Sequence, residues 1–411
     1  MNKEHIDAIE KKIEEIHRQI EKNVEENQRR VLKAFQNYKV SDGHFHSSTG
    51  YGYDDFGRDT LELVYAEVFG VEDAIVRPQI VSGTHAITTA LFGILRPGDE
   101  LLYITGKPYD TLDEIVESKS DKGSLKDFGI EFKALPLTEN DQSIDYDLLG
   151  RTMSSKTKMI GIQRSKGYAN RPSFSVTQIK EMIDFVKEIH PEVIVFVDNC
   201  YGEFVETSEP THVGADIMAG SLIKNPGGGI AKTGGYIVGK KQLIEQCAYR
   251  LTSPGLGKEV GASLQMLQDF YFGFFMAPHI VGEALKGAVF TSAYLESIGF
   301  KTSPSWNSHR TDLIQTVTFT NKEEMIGFCQ AIQSASPINS HVTPYPSPMP
   351  GYSNEVIMAA GTFVQGGSLE LSADGPIRPP YTAYVQGGLT YSHVKIAVTE
   401  AVNNIREKNT Q

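Results

Sequence analysis

The stretch VIVFVDNCYGEFVETSEPTHVGADIMAGSLIKNPGGGIAKTGGYIVGK, residues 193–240, decides how the chain is read. It opens on Val193-Ile194-Val195-Phe196-Val197, an unbroken β-branched and aromatic run of the kind that is buried on both faces of a sheet. Asp198 ends the run, and a carboxylate there is costly unless something cationic meets it. A second apolar run, Ile217-Met218-Ala219-Gly220, leads to Ser221-Leu222-Ile223-Lys224 and then to Asn225-Pro226 and three glycines. Lys224 thus falls just past a strand, where open α/β sheets place their ligands. Taken singly, Asp198 reads as the cap of the next turn and Lys224 as a solvated lysine. Taken as a pair on two strand ends, they read as two parts of one site.

One chemistry uses both groups. A lysine amine condenses with the aldehyde of pyridoxal phosphate, and an acid opposite keeps the ring nitrogen protonated so that the ring accepts electrons. Ser221, three residues before Lys224, is spaced to meet the phosphate. A second anion site is expected upstream. Ala74 to Val81 reads as a strand, and Ser82-Gly83-Thr84-His85 opens a helix to Leu95. A strand, a small-residue turn and a helix N-terminus aim free N–H groups and the helix dipole at a phosphate, although Ser-Gly-Thr is also an ordinary helix cap.

Val197-Asp198-Asn199-Cys200-Tyr201, Gly214-Ala215-Asp216-Ile217 and Ser221-x-x-Lys224 together resemble the core of the cystathionine/methionine (Cys/Met metabolism) family of pyridoxal-phosphate enzymes, the lyases and synthases of sulfur amino acids. Gly52-Tyr53-Asp54-Asp55-x-Gly57-Arg58-Asp59 and Ser82-Gly83-Thr84-His85 are similar to its aluminium-resistance-associated branch, which is akin to methionine gamma-lyase and cystathionine beta-lyase. The resemblance runs from Tyr51 to the C-terminus. It implies an α/β protein of fold type I, aspartate-aminotransferase-like, with a mostly parallel sheet in a large domain and a small α/β C-terminal domain. It also implies a homodimer or tetramer with the active site at the subunit interface.

The same resemblance implies roles for single residues. Lys224 carries the cofactor and moves protons, Asp198 faces the ring nitrogen, and Ser82, Gly83, Thr84 and Ser221 serve the phosphate. Tyr109 stacks on the ring and assists proton transfer; its other reading is a packing residue. Tyr53 and Arg58 reach into the neighbouring subunit and hold its cofactor phosphate. Tyr51 is the alternative to Tyr53, and an ion pair with Asp54 or Asp55 is the alternative for Arg58. Asn170 matches, through the phrase Ala-Asn-x-Pro, an asparagine that meets the cofactor's phenolic oxygen. Leu369-Glu370-Leu371-Ser372 matches an Arg-Leu-Ser strand whose arginine binds the substrate carboxylate, but Glu370 stands where the arginine would be. Arg378, in the stiff Pro376–Tyr381 loop, is assigned that role because a guanidinium fork fits a carboxylate; a structural salt bridge is the alternative.

Composition narrows the classes. The 411 residues call for more than one small core, and 40% apolar and 22% charged residues are ordinary for a globular protein. A net charge of −12 disfavours nucleic acid or anionic membrane as a partner. Cys200, Cys247 and Cys329 form no CxxC, so neither a disulfide framework nor a metal site is indicated. Cys200 reads either as a neighbour of the site or as a small buried residue. With a charged N-terminus and no long apolar window, a cytoplasmic location is expected.

Four segments are expected: 1–58, an N-terminal helix and interface loop; 59–257, the large cofactor domain; 258–298, a connecting helix bent at Pro278; and 299–411, the small domain. Ile6, Ile9, Ile13, Ile16, Ile20 and Val24 form a helical stripe that faces a partner subunit or, alternatively, its own domain. Asp59 is expected to cap a helix from Thr60 to Phe69, residues 113–122 to form a helix, and Thr233 to Val238 to finish the sheet. The expected reaction is elimination at a carbon–sulfur bond of a sulfur amino acid (cystathionine, methionine or cysteine-like), giving a 2-oxo acid, ammonia and a thiol. Replacement chemistry or another amino-acid lyase or transferase reaction is the first alternative. A non-catalytic or nucleotide-binding protein is the second, since Gly-Gly-Ile-Ala-Lys-Thr at 228–233 resembles a phosphate loop with Ala231 in place of a required glycine.

Overall fold

The computed structural model describes residues 3–118, 122–139 and 142–409. Positions 1–2 of the expected first helix and 119–121 of the expected 113–122 helix lie outside them. The first helix, α1 (Lys3–Asn37), carries its isoleucine stripe against its own chain: Ile9, Ile13 and Ile20 are buried. The partner-facing reading of the stripe is thereby replaced by the alternative.

Next come α2 (Phe56–Val68), β1 (Asp73–Arg77), α3 (Gly83–Ile94), β2 (Glu100–Tyr103), α4 (Asp110–Val116), β3 (Glu131–Ala134), α5 (Tyr146–Thr152) and β4 (Thr157–Gln163). Then α6 (Val176–Ile189), β5 (Ile194–Asp198), β6 (Ile217–Ser221), β7 (Gly235–Gly239) and α7 (Lys241–Leu251) complete the first layer system. Helix α2 begins earlier than Asp59 predicts, because Asp55 accepts the Arg58 N–H at 3.0 Å and caps it.

The seven strands order as β1-β7-β6-β5-β4-β2-β3. Strands β2 to β6 pair in parallel, as the alternation of strand and helix predicts. Strand β7 runs antiparallel to both β6 and β1. It therefore does not finish the sheet: β1 is the edge, and it stops at Arg77 because Pro78 has no N–H to continue the ladder.

Helix α8 (Leu267–Ser297) passes unbroken through Pro278 and buries Phe270, Tyr271 and Phe274. Helix α1 lies along it. At Gly282 the two are tightly packed: a Cβ there would stand 2.3 Å from Val24 Cγ2. Beyond α8, β8 (Lys301–Ser303), β9 (Gln315–Thr318), α9 (Lys322–Ser334), β10 (Val356–Ala359), β11 (Ser372–Pro376), β12 (Thr382–Gln386) and α10 (Tyr391–Asn409) follow. The five strands form a second, antiparallel sheet ordered β10-β11-β12-β9-β8.

Candidate active site

Register fixes the site. Gln163 at the end of β4 pairs with Asp198 at the end of β5, and Asp198 pairs with Ala219 of β6. Three residues past the end of β6 stands Lys224. Its loop is held by Leu222 N donating to Gly234 O at 3.0 Å and Asn225 Nδ2 donating to Glu203 O at 2.8 Å. The glycine run is required by space: a Cβ on Gly227 would lie 1.6 Å from Leu222 O, and Gly228 (φ +56°) abuts Gly273 O. The loop then enters β7 rather than a helix. A nucleotide phosphate loop needs a helix N-terminus behind it, so the nucleotide-binding reading of 228–233 is set aside.

Asp198 and Lys224 line one cavity of about 280 Å³, together with Ser82, Gly83, Thr84, Tyr109, Cys200, Tyr201 and Ser221. Ser82 caps α3 by accepting the His85 N–H at 3.1 Å, so the first turn of the helix opens toward the cavity. A Cβ on Gly83 would meet Cys200 Sγ and Ser221 Cβ at 3.2 Å each, so the turn fits closely against β6. The Tyr109 hydroxyl is 2.7 Å from Thr84 Oγ1, and its backbone N–H donates to Gln163 Oε1 at 2.8 Å.

The electrostatics follow from burial. Burial raises the Asp198 carboxyl above the usual carboxylate range, while Lys224 and the Cys200 N–H, which Oδ1 accepts at 3.1 Å, pull the other way. Burial pushes the Cys200 thiol far up and the Tyr201 phenol up to about 12, so both are neutral near pH 7. Asp198 is then an acid beside the Lys224 ammonium, on the neighbouring strand. Lys224 Nζ lies 3.9 Å from the centre of the Tyr201 ring. Tyr201 itself is held at φ +70°, a backbone conformation that persists only where its surroundings enforce it. A cavity that joins a lysine, an acid on the neighbouring strand, an aromatic ring and an open helix N-terminus fits pyridoxal phosphate: amine for aldehyde, acid for ring nitrogen, N–H groups for phosphate.

Four expected residues lie elsewhere. Asn170 is exposed on a turn, while the following Arg171 points inward and donates to the Gln163 and Ser165 carbonyls. Arg378 donates to Asn354 Oδ1 at 3.4 Å and lines, with Asn170, a second cavity behind Tyr168 and Tyr384. Its loop turns at once, Arg378 N donating to Pro376 O at 2.9 Å. Arg58 is buried in its own chain: it donates to Gly52 O at 2.6 Å and Gly261 O at 3.1 Å and pairs with Asp59, rather than with Asp54 or Asp55. Tyr51 and Tyr53 are exposed and stacked, ring centres 5.7 Å apart. Glu370 is also accounted for, accepting the N–H groups of Phe363 and Val364 as a loop anchor.

The far wall of the cavity was not anticipated. Tyr352, Asp374, Tyr384 and Gln386 come from the small sheet and its loops, and Tyr168 joins them from the loop after β4. Asp374-Gly375 reads in sequence as a turn, and nothing local distinguishes it from one.

The chain is similar to several known proteins. A Bacillus subtilis protein, YnbB, is 67% identical over 402 residues, covering 97% of this chain and 95% of its own length. The crystal structure of a carbon-sulfur lyase involved in aluminum resistance from Clostridium novyi NT is 47% identical, covers 97% of this chain and 94% of its own, and superposes with a TM-score of 0.93. The pyridoxal phosphate-dependent protein YhfS of Escherichia coli shares the fold alone, at 16% identity and a TM-score of 0.59 over 93% of this chain and 97% of its own. The fold is accordingly fold type I of the pyridoxal-phosphate enzymes. The family model described as methionine gamma-lyase matches residues 2–406, nearly the whole length, and the chain belongs to that family.

Proposed function

We propose that this protein is a pyridoxal-phosphate-dependent carbon–sulfur lyase, cleaving a sulfur amino acid to a 2-oxo acid, ammonia and a thiol by β- or γ-elimination. The observation that carries the reading is the meeting of Lys224 and Asp198 in one cavity at the mouth of α3. Family membership and the carbon-sulfur lyase relative support it. Lys224 would hold the cofactor through its Nζ, Asp198 its ring nitrogen, and Ser82, Gly83, Thr84 and Ser221 its phosphate; Tyr109 would cover a ring face.

When bound, the cofactor supplies an electron sink for charge developing at the substrate α-carbon. The protein's residues do the rest. Lys224 would accept the α-proton on Nζ. Asp198 would hold the ring nitrogen, and that pairing would offset the cost of its burial. The Tyr109 hydroxyl, held by Thr84, is a neutral donor beside the same atoms. The neutral Cys200 and Tyr201 keep the floor of the cavity free of further negative charge.

We further propose a homo-oligomer with Tyr53 and Arg58 near the shared face. Tyr51, Tyr53, Phe56 and Leu264 all stand exposed there, and Gly261 N donates to Tyr51 O, tying the two loops into one surface. The test is spectroscopic and chemical. The purified protein should show a visible absorbance band with pyridoxal phosphate that Lys224→Ala loses. A panel of cystathionine, methionine, cysteine and homocysteine should yield 2-oxo acid and thiol from at least one member. A protein that stays colourless with added cofactor would refute the reading.

A further inference from the structure

The wall opposite Lys224 has an unusual charge pattern. Lys224 rises from the large sheet, whereas Asp374 lies on β11 of the small sheet, so a substrate whose amine is engaged at Lys224 extends toward Asp374. Asp374 is 1% exposed, yet its Oδ1 has no hydrogen-bond partner. Gln386 Nε2 donates to its other oxygen at 3.2 Å. Three tyrosines surround the carboxyl. Tyr168 lies 5.0 Å from Tyr384 and 5.7 Å from Tyr352, centre to centre, and tilted against both. The Tyr384 hydroxyl is committed, donating to Tyr168 O at 2.9 Å. Asp110 lines the same cavity and acts on Tyr352 and Tyr384 along with Asp374.

Among the described residues no arginine lines this cavity, and Lys224 is its one lysine. From this chain an anionic substrate tail would therefore meet the Asp110 and Asp374 carboxylates. A buried carboxylate with one unpartnered oxygen, set among tyrosine rings and steadied by the Tyr168 and Ser372 hydroxyls, is an arrangement that binds an ammonium group: charge to carboxylate, N–H to the free oxygen, and the ring quadrupoles nearby. Burial pushes the Asp374 carboxyl up to about 6, so it is ionised for the most part at neutral pH and stands to gain from a cation.

We propose that Asp374, with Tyr168, Tyr352 and Tyr384, forms a cation subsite that selects amino-acid substrates whose sulfur-bearing side chain ends in an amine. The assignment rests on the lyase reading above and adds its substrate class. The α-amine engages at Lys224, and the distal ammonium donates to Asp374 Oδ1.

The test compares three near-isosteric substrates on the cofactor-saturated protein: S-aminoethyl-L-cysteine, S-propyl-L-cysteine and S-carboxymethyl-L-cysteine, with their homocysteine counterparts in parallel. Two quantities are read: kcat/KM for thiol release, and the half-saturation of the change that each compound makes in the visible band. The aminoethyl compound should be favoured over the propyl one by roughly tenfold or more in both, and the carboxymethyl compound should be worst. In Asp374→Asn, which keeps the shape and removes the charge, the aminoethyl-to-propyl ratio should fall toward one. Tyr352→Leu, at the half-exposed rim, should lower the same ratio in part. A wild-type protein that handles the propyl or carboxymethyl compound as well as the aminoethyl one overturns the subsite and leaves the lyase reading standing. So does an Asp374→Asn variant that keeps the wild-type ratio. If none of the compounds releases thiol or shifts the band, the lyase reading fails and the subsite with it.

Discussion

Asp198 and Glu203 are both buried acids a few residues apart, and the structure gives them opposite tasks. Asp198 faces Lys224 across the cavity; Glu203 lies beneath the lysine loop, fully buried, with one oxygen accepting the Tyr236 hydroxyl at 2.6 Å and the other unpartnered. Burial pushes Glu203 from 4.5 up to about 8, against the pull of Tyr236 and of Lys224. The folded protein then holds a proton that the unfolded chain has already released. Its contribution to stability is full below about pH 4.5 and is lost as pH rises toward about 8. Glu203→Gln keeps the acceptor for Tyr236 and cannot ionise. Urea midpoints across that window should show the wild type losing ground to the variant, with a slope difference approaching about 1.4 kcal/mol per pH unit. Parallel curves would show that Glu203 does not titrate there. For Asp198, the expected effect is on chemistry. Asp198→Asn should lower kcat about a hundredfold or more while the visible band persists; unchanged turnover would remove Asp198 from the mechanism.

At the scale of elements, the loop after β6 is the part least free to vary. Gly227→Ala places a methyl group against the Leu222 carbonyl, and no side chain can move aside there because the obstacle is backbone. The expected loss is about 3 kcal/mol or more, by analogy with other forced backbone shifts, together with loss of cofactor affinity, measured by thermal unfolding with and without pyridoxal phosphate. A variant of wild-type stability would mean that the loop is not so tightly held. The same loop shows why the site was partly legible in sequence. Asp198, Ser221 and Lys224 sit at strand ends, and strand ends are marked by apolar runs that stop at polar residues. Ser82 to Thr84 announce a helix start for a similar reason. For Asn170 and Arg378 a matched phrase fixes neighbours along the chain but not side-chain direction: one turn leaves Asn170 outside and Arg171 inside. Asp374, Tyr352 and Tyr384 carried no signal, since their approach to Lys224 depends on how the second sheet packs, over separations of more than a hundred residues.

Residues of both sheets and their loops line one cavity, and α1 packs along α8, which touches the small sheet. The N-terminal helix packs on its own chain; Tyr51, Tyr53, Phe56 and Leu264 are four of the exposed apolar residues and sit on two loops joined by the Gly261–Tyr51 hydrogen bond. Because Phe56 and Leu264 are solvent-facing in the single chain, Phe56→Asp with Leu264→Asp should cost the isolated fold little, within about 1 kcal/mol. Sedimentation should nonetheless show the wild type as a dimer or larger and the double variant as smaller, with activity falling alongside. Unchanged size would place the interface elsewhere. All of this presupposes that the cofactor is attached where the two strand ends meet. The most direct measurement is borohydride reduction of the cofactor-loaded protein followed by peptide mapping. The account predicts the pyridoxyl mass on the peptide containing Lys224 and on no other; a label on a different lysine, or no label at all, would contradict it.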